Sequence, residues 1–419
     1  MPLEPGDINL GSNNDLMAVA GGVPHEYFAV LRTQAPVFWN EPPVDGAKIF
    51  ELGDDYEPIG FWVLSKYDDV VLASRDTERF SAWENSVIWI DTKQSEMALA
   101  AQRSGLMGMD PPNHTQFRRL VQPGFTPRAI AKLEPHLRAE AAKVITELAE
   151  RDEAEFVFDV AAELPMILLC EMMGVPQERR HEYMELGNAT ASFEFNDNFV
   201  NDQIMLFVLL DDIVKSVKDA PNETLISKYL HGEVDGRKLT EDEITQFFQT
   251  LSIAGHETTR NTTAHFVRLM DEHPDQKALL LEDLEGRLPN AIEEVLRYSP
   301  PVMQFCRTAT EDIDLRGQTM AKGDKVYMSY ISANRDEEVF EDPDRFDILR
   351  PNADKHLAFG NGAHFCLGAS LARLQLKCIL TELYTQIPGI ELVGKPTPMF
   401  SVWFNALNEM PVRTCPVTH

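Results

Sequence analysis

Ten residues, Phe359-Gly360-Asn361-Gly362-Ala363-His364-Phe365-Cys366-Leu367-Gly368, join a tight turn to a thiol at the start of the helical stretch Ala369 to Gln386. Gly360 and Gly362 permit a turn whose backbone N–H groups aim at one point. Cys366 then lies at a helix N-terminus, where the dipole and the free donors favour an anionic sulfur. A thiolate held this way suits ligation of a haem iron, onto which it pushes electron density, favouring O–O cleavage. A bare Gly-x-Gly would equally serve a phosphate turn beside an inert thiol. A cysteine that enters the helix directly has no purpose in such a turn.

A second constellation, Ala254-Gly255-His256-Glu257-Thr258-Thr259, sits inside a long helical pattern. That pattern starts at a capping box, Thr240 with Glu243, and runs without proline to about His273. At ~1.5 Å per residue this is a helix of about 50 Å, enough to cross a domain. Gly255 is poor in a helix interior and asks for close approach or local distortion. Thr258 is four residues after Ala254, so its hydroxyl can bond that carbonyl and open the ladder. A groove with a hydroxyl and the adjacent Glu257 carboxylate can hold water and relay protons, which makes Glu257 and Thr258 the candidate catalytic pair. The same residues also fit a packed helix with a tolerated glycine. His256 points away from Ala254 and Thr258 and reads as structural.

The elements that must carry these groups are mainly helical. Residues 127–151 and 156–174 have helical apolar periodicity, and 178–238 is less regular and more polar, as suits mobile helices and loops. Phe61 to Leu64 reads as a strand leading into a short helix, and Val326 to Tyr330 as another strand. The expected class is mainly α with minor β. The chain has 419 residues, 44% of them apolar, and no long linker or repeat, so one domain over residues 1–419 is expected. A net charge of −29 disfavours nucleic acid as a partner. The N-terminus lacks a signal-peptide pattern and no apolar run approaches the ~18 residues of a membrane span, so a cytoplasmic protein without a span is expected. The five cysteines show neither a disulfide framework nor a CxxC zinc pattern.

Phe359 to Gly368 resembles the haem-binding loop of the cytochromes P-450, Phe-Gly-x-Gly-x-His-x-Cys-x-Gly, at every defined position. Other motifs of that family occur in order: Ala254 to Thr259 resembles the oxygen-activating segment, Glu294-Val295-Leu296-Arg297 the Glu-x-x-Arg motif. Asp110 to Arg118 is similar to a haem-contacting helix, and Phe305 to Ala309 to the segment that sends an arginine to a propionate. The likeness covers nearly the whole chain and is weakest over 178–238. It implies the P-450 fold, a triangular prism with a helical domain and a small β-rich part, and haem b (iron protoporphyrin IX) with Cys366 as the iron ligand. His114 and Arg118, spaced i,i+4 and so facing the same way, join Arg307 and His364 as propionate partners, with His356 a further candidate. Glu294 and Arg297 form a buried pair that a second arginine completes, Arg350 being favoured over Arg345.

The implied activity is monooxygenation: O2 is activated with two electrons, protons pass Glu257 and Thr258, and an unactivated C–H bond becomes an alcohol. Similar bacterial enzymes act on terpenoids, branched lipids and steroid side chains. By position in the family pattern the pocket is lined by Trp89, Leu251, Ala254, Val302, Met303, Phe305, Trp403 and Phe404, and the span Trp83 to Met107 is the access loop. Electrons are expected from NAD(P)H through a reductase and a small soluble ferredoxin, docking on a local basic patch of Arg119, Lys355 and Arg373, with the enzyme a monomer. Desaturation, ring coupling, peroxide-driven oxidation and a non-catalytic haem–thiolate ligand binder are the competing readings.

Overall fold

The computed structural model of the chain describes residues 3–10, 23–42, 59–88, 96–191, 199–219, 221–233, 236–399, 401 and 403–415. Trp89 and part of the expected access loop therefore lie outside the described residues. The helices that position the site are α1 (Glu96–Arg103), α2 (Asn113–Val121), α3 (Glu134–Ala149), α4 (Glu163–Met173), α5 (Arg180–Ala191), α6 (Phe199–Asp219), α7 (Glu241–Glu272), α8 (Leu284–Tyr298) and α9 (Ala369–Gln386). Five strands, β1 (Val37–Asn40), β2 (Phe61–Leu64), β3 (Phe80–Ser81), β4 (Gln304–Ala309) and β5 (Lys325–Ser329), form one sheet in the order β1-β2-β5-β4-β3. β2 and β5 run parallel with Val63 opposite Tyr327, whereas β4 and β5 are antiparallel with Arg307 opposite Val326.

The central helix α7 begins as its capping residues dictate. Glu243 N–H donates to Thr240 Oγ1 at 3.1 Å, and the Glu243 carboxylate accepts from Thr240 N–H at 3.0 Å. It packs on α4, α6, α8 and α9, so nearly all of its length is inside the protein. Elsewhere the sequence reading needs correcting. Residues 127–151 form two helices, Pro127–Ala131 and α3, because Pro135 in the first turn of α3 suits a new start and not a continuing ladder. The 178–238 region holds α5 and the 21-residue α6. α6 buries Leu206, Leu209, Leu210, Ile213 and Val214 on one face and leaves Ile204, Met205 and Val208 exposed on the other. Apolar residues on both faces blur the amphipathic signal.

A buried ionic triad holds α8 to the segment that precedes the cysteine loop. Glu294 accepts from Arg297 Nε at 2.7 Å and Arg297 Nη2 at 2.9 Å, and from Arg350 Nε at 3.2 Å. Arg350, not Arg345, completes the set; Arg345 is exposed and contributes its backbone oxygen to both arginines instead. Arg297 also donates to the carbonyls of Asn334 and Pro343, so its remaining N–H groups are satisfied. The next carboxylate back, Glu293, crosses to α9, where Arg373 clasps it with two contacts of 2.7 Å. His356 Nε2 donates to the same carboxylate at 3.2 Å, its Nδ1 accepting from Ala358 N–H.

Two tests follow from these pairs. Glu294→Gln leaves two guanidinium groups buried without their countercharge and should lower the unfolding free energy by about 3–5 kcal/mol, measured by urea titration. A loss below about 1 kcal/mol would remove the triad from the account of stability. For Glu293, burial pushes the carboxyl up, but Arg373 and His356 outweigh it and hold it down at about 2, against an ordinary 4.5. Its contribution is therefore complete above about pH 4.5 and is lost as the pH falls through about 2. Glu293→Gln should flatten the fall in stability across that window, read from denaturation midpoints at stepped pH.

Candidate active site

The cysteine loop takes its shape from its glycines. Gly360 and Gly362 have φ of 69° and 68°, in the left-handed region that glycine adopts without a side-chain clash. A Cβ on Gly362 would also lie 2.4 Å from the Ser74 carbonyl oxygen. The loop closes through Cys366 N–H, which donates to Phe359 O at 2.8 Å. The thiol sits half-buried at the N-terminus of α9, lining the cavity. Burial pushes its pKa up, while the N–H groups of Gly368 and Ala369 and the charges of Arg118 and Arg373 pull it down. The pull does not win by itself, so a bound cation is what would keep this sulfur as thiolate.

Beside the loop stands a group of donors without acceptors. His114 (α2) and His364 have ring centroids 4.3 Å apart. Both His114 ring nitrogens, His364 Nε2 and Arg307 Nε are buried without a hydrogen-bond partner. Burial, then Arg118 and Arg307, brings the His114 imidazole down to about 4. His364 is held well below its usual range by burial and by Arg307. Arg118 donates to the carbonyls of Ala363 at 3.0 Å and Phe365 at 2.6 Å, so it braces the loop as well as facing the cavity. Buried polar nitrogens are rarely left unpaired, and acidic oxygens of a bound group would satisfy these. The residues thus fit a porphyrin that carries propionates and a thiolate-bound iron. His356, engaged with Glu293, is not among the cavity-lining residues.

α7 forms the facing wall. Thr258 Oγ1 donates to Ala254 O at 2.7 Å, as its spacing predicts. Gly255 has a packing cause: a Cβ there would meet Leu169 of α4 at 3.1 Å. The expected placement of Glu257 is corrected. It does not line the cavity; it is fully buried in an ion pair with Arg260 and accepts from Asn261 Nδ2 at 2.7 Å. Successive helix positions turn by about 100°, so neighbours 257 and 258 face different surroundings. Burial raises the Glu257 carboxyl against the pull of Arg260 and Asn261, and its Oε2 has no partner. Arg260 lies over the Phe158 ring at 4.8 Å.

Both walls bound one cavity, about 1590 Å³ of space including its mouth. Of the expected pocket residues, Leu251, Ala254, Val302, Phe305, Trp403 and Phe404 line it. Alternation along β4 turns Phe305 and Arg307 to this side and buries Cys306 against Phe61, Val63 and Tyr327 on the other. Met303 is a correction: it packs in that opposite cluster. The alternation breaks before β4, where Met303 N–H donates to Trp403 O and its carbonyl accepts from Tyr330 N–H. Sequence reasoning missed Phe247 and Thr250, which recur at helical spacing with Leu251, Ala254 and Thr258 and were therefore findable. Leu169 and Met172 also line the cavity, and nothing local in the sequence marks them; Leu106 and Met107, at the end of the expected access span, line it too. Phe365, next to Cys366 in the loop, is 43% exposed. Arg119 and Lys355 are exposed, whereas Arg373 is committed to Glu293.

This arrangement has known counterparts. The family model for cytochrome P-450 matches residues 206–385. A steroid C26-monooxygenase of Rhodococcus jostii (strain RHA1) is 37% identical over 409 residues, covering 95% of this chain and 84% of the relative. A methyl-branched lipid omega-hydroxylase of Mycobacterium tuberculosis is 35% identical, covering 97% of this chain and 94% of the relative. Among solved structures, a Mycobacterium marinum cytochrome P-450 in complex with pseudoionone superposes with a TM-score of 0.86 at 33% identity, over 97% of this chain and 98% of that one.

Proposed function

The chain belongs to the cytochrome P-450 family, and we propose that it hydroxylates a C–H bond near the end of a neutral, branched terpenoid, steroid or lipid-like chain. It is a haem–thiolate monooxygenase that uses O2 and acts on hydrophobic substrates. When bound, the haem supplies O2 activation and the transfer of one oxygen atom to a C–H bond. Cys366 would hold the iron, and His114, Arg118, Arg307 and His364 would hold the propionates. Thr258, tied to the Ala254 carbonyl, keeps a hydroxyl at the cavity wall that can orient water and pass a proton. Glu257 lies one residue away, its carboxyl pushed up by burial and with one oxygen unpartnered. It can serve the cavity only by leaving Arg260 and Asn261.

One observation carries the substrate reading. Among the described residues, every titratable side chain lining the cavity belongs to the cysteine-loop end: His114, Arg118, Arg307, Tyr330, His364 and Cys366 itself. The rest of the wall is uncharged: aliphatic, aromatic, methionine, glycine and threonine, with one amide, Gln375. A charged substrate group placed there would be desolvated without a countercharge, whereas a hydrocarbon gains from burial at about 25 cal/mol per Å². Relatives that act on steroids and methyl-branched lipids agree with that chemistry.

Electrons come from NAD(P)H through a reductase and an acidic ferredoxin in this reading. Phe365, beside Cys366, gives an apolar contact, and Arg119 and Lys355 give positive charge around it. The chain acts as a cytoplasmic monomer of one domain over residues 1–419; among the described residues no helix is long and apolar enough to cross a membrane.

A panel of terpenes, steroids and branched fatty alcohols, with their carboxylate analogues, tests the substrate class. Neutral members should displace the iron-bound water, seen as a shift of the main haem absorption band, and be hydroxylated. Tighter binding of the carboxylates throughout would refute the reading. For Thr258→Ala, substrate affinity should stay within about twofold, while product per NAD(P)H falls about tenfold or more, the lost electrons appearing as hydrogen peroxide. Unchanged coupling would remove Thr258 from proton delivery.

A further inference from the structure

α7 carries seven hydroxyl side chains, and their bonding divides them sharply. Thr245, Ser252, Thr258, Thr262 and Thr263 each donate to the carbonyl one turn back, at 2.7–3.0 Å. That is the ordinary local solution for a helical hydroxyl. Thr250 and Thr259 have no such bond, and both line the cavity. Thr259 is 4% exposed, which leaves it little access. Thr250 is half-buried, and its Oγ1 lies 3.6 Å from where a Cβ on Gly105 would stand. The glycine thus leaves space beside the hydroxyl, next to Leu106 and Met107, which line the same cavity.

Thr250 precedes Thr258 by two turns, about 12 Å along the axis at ~1.5 Å per residue. Between them the helix presents Leu251 and Ala254, and α4 contributes Leu169 and Met172. An apolar passage with one available hydroxyl at its far end and a reaction centre at the other is a measuring device. We propose that Thr250 is the specificity-determining anchor: its hydroxyl donates to a single neutral oxygen of the substrate and places the carbon to be oxidised about 12 Å away, by Thr258. The acceptor is a ketone, ester or alcohol, because no cation lines this end among the described residues to receive a carboxylate. The inference rests on the proposed hydrophobic-substrate reading and adds to it the substrate's second functional group and its spacing.

The test uses the holoenzyme, its Thr250→Val and Thr250→Ser variants, and two probes. One is a methyl-branched acyclic terpenoid ketone long enough to span about 12 Å; the other is the hydrocarbon in which a methylene replaces the carbonyl. Kd is measured by calorimetry, and thermal melts check that the nearly isosteric valine variant is folded. Valine should weaken the ketone about three- to tenfold, the worth of one hydrogen bond, and leave the hydrocarbon within about twofold, while serine should keep the ketone affinity. Equal effects of valine on both probes, or none on either, would overturn the anchor. If neither probe binds the unaltered enzyme, the hydrophobic-substrate reading fails first and the anchor falls with it.

Discussion

A sulfur that must be an anion inside a protein is an electrostatic problem, and the surroundings of Cys366 are organised by it. Burial drives the thiol toward its protonated form. The loop answers with backbone N–H groups from the start of α9 and with two guanidinium groups, but these leave the pKa raised. The deficit is what a cationic iron supplies. The site is therefore incomplete as protein alone, in the way metal sites couple ligand ionisation to metal binding. Its rigidity has to come from elsewhere: Gly362 wedged against Ser74, and Arg373 pinned between Glu293 and the Phe359 ring.

The same charge problem explains why the cavity is polar at one end. Buried ring and guanidinium nitrogens that lack partners are costly in the folded chain, and the protein gathers both His114 nitrogens, Arg307 Nε and His364 Nε2 at one place. A dianionic edge such as a pair of propionates can neutralise them together. Confining charge there leaves the remainder of the wall free to be apolar, so cofactor retention and substrate choice use separate surfaces.

Glu257 shows how far a local motif can be read. Its position beside Thr258 suggests a carboxylate at the cavity, and an ionised group there would face an apolar pocket. The fold instead buries it against Arg260 and Asn261, where the charge is compensated. The carboxylate can reach the cavity only when that pairing loosens, which would tie any part it has in proton supply to motion of the side chain.

The sequence alone determined the groups whose chemistry is written in a few adjacent residues. The loop from Phe359 to Gly368, the Thr258–Ala254 bond, the capping box at Thr240 and the i,i+4 pair His114 and Arg118 depend on spacing along one element, and backbone geometry fixes the outcome. Tertiary structure alone decided which arginine completed the pair with Glu294, that Glu257 turned from the cavity, that Met303 packed in the opposite cluster, and that Leu169 and Met172 joined the wall. Each of those depends on what is packed against the residue from a distant part of the chain. A side chain's direction changes by about 100° with each helical step, so only the neighbouring elements determine which face becomes the site.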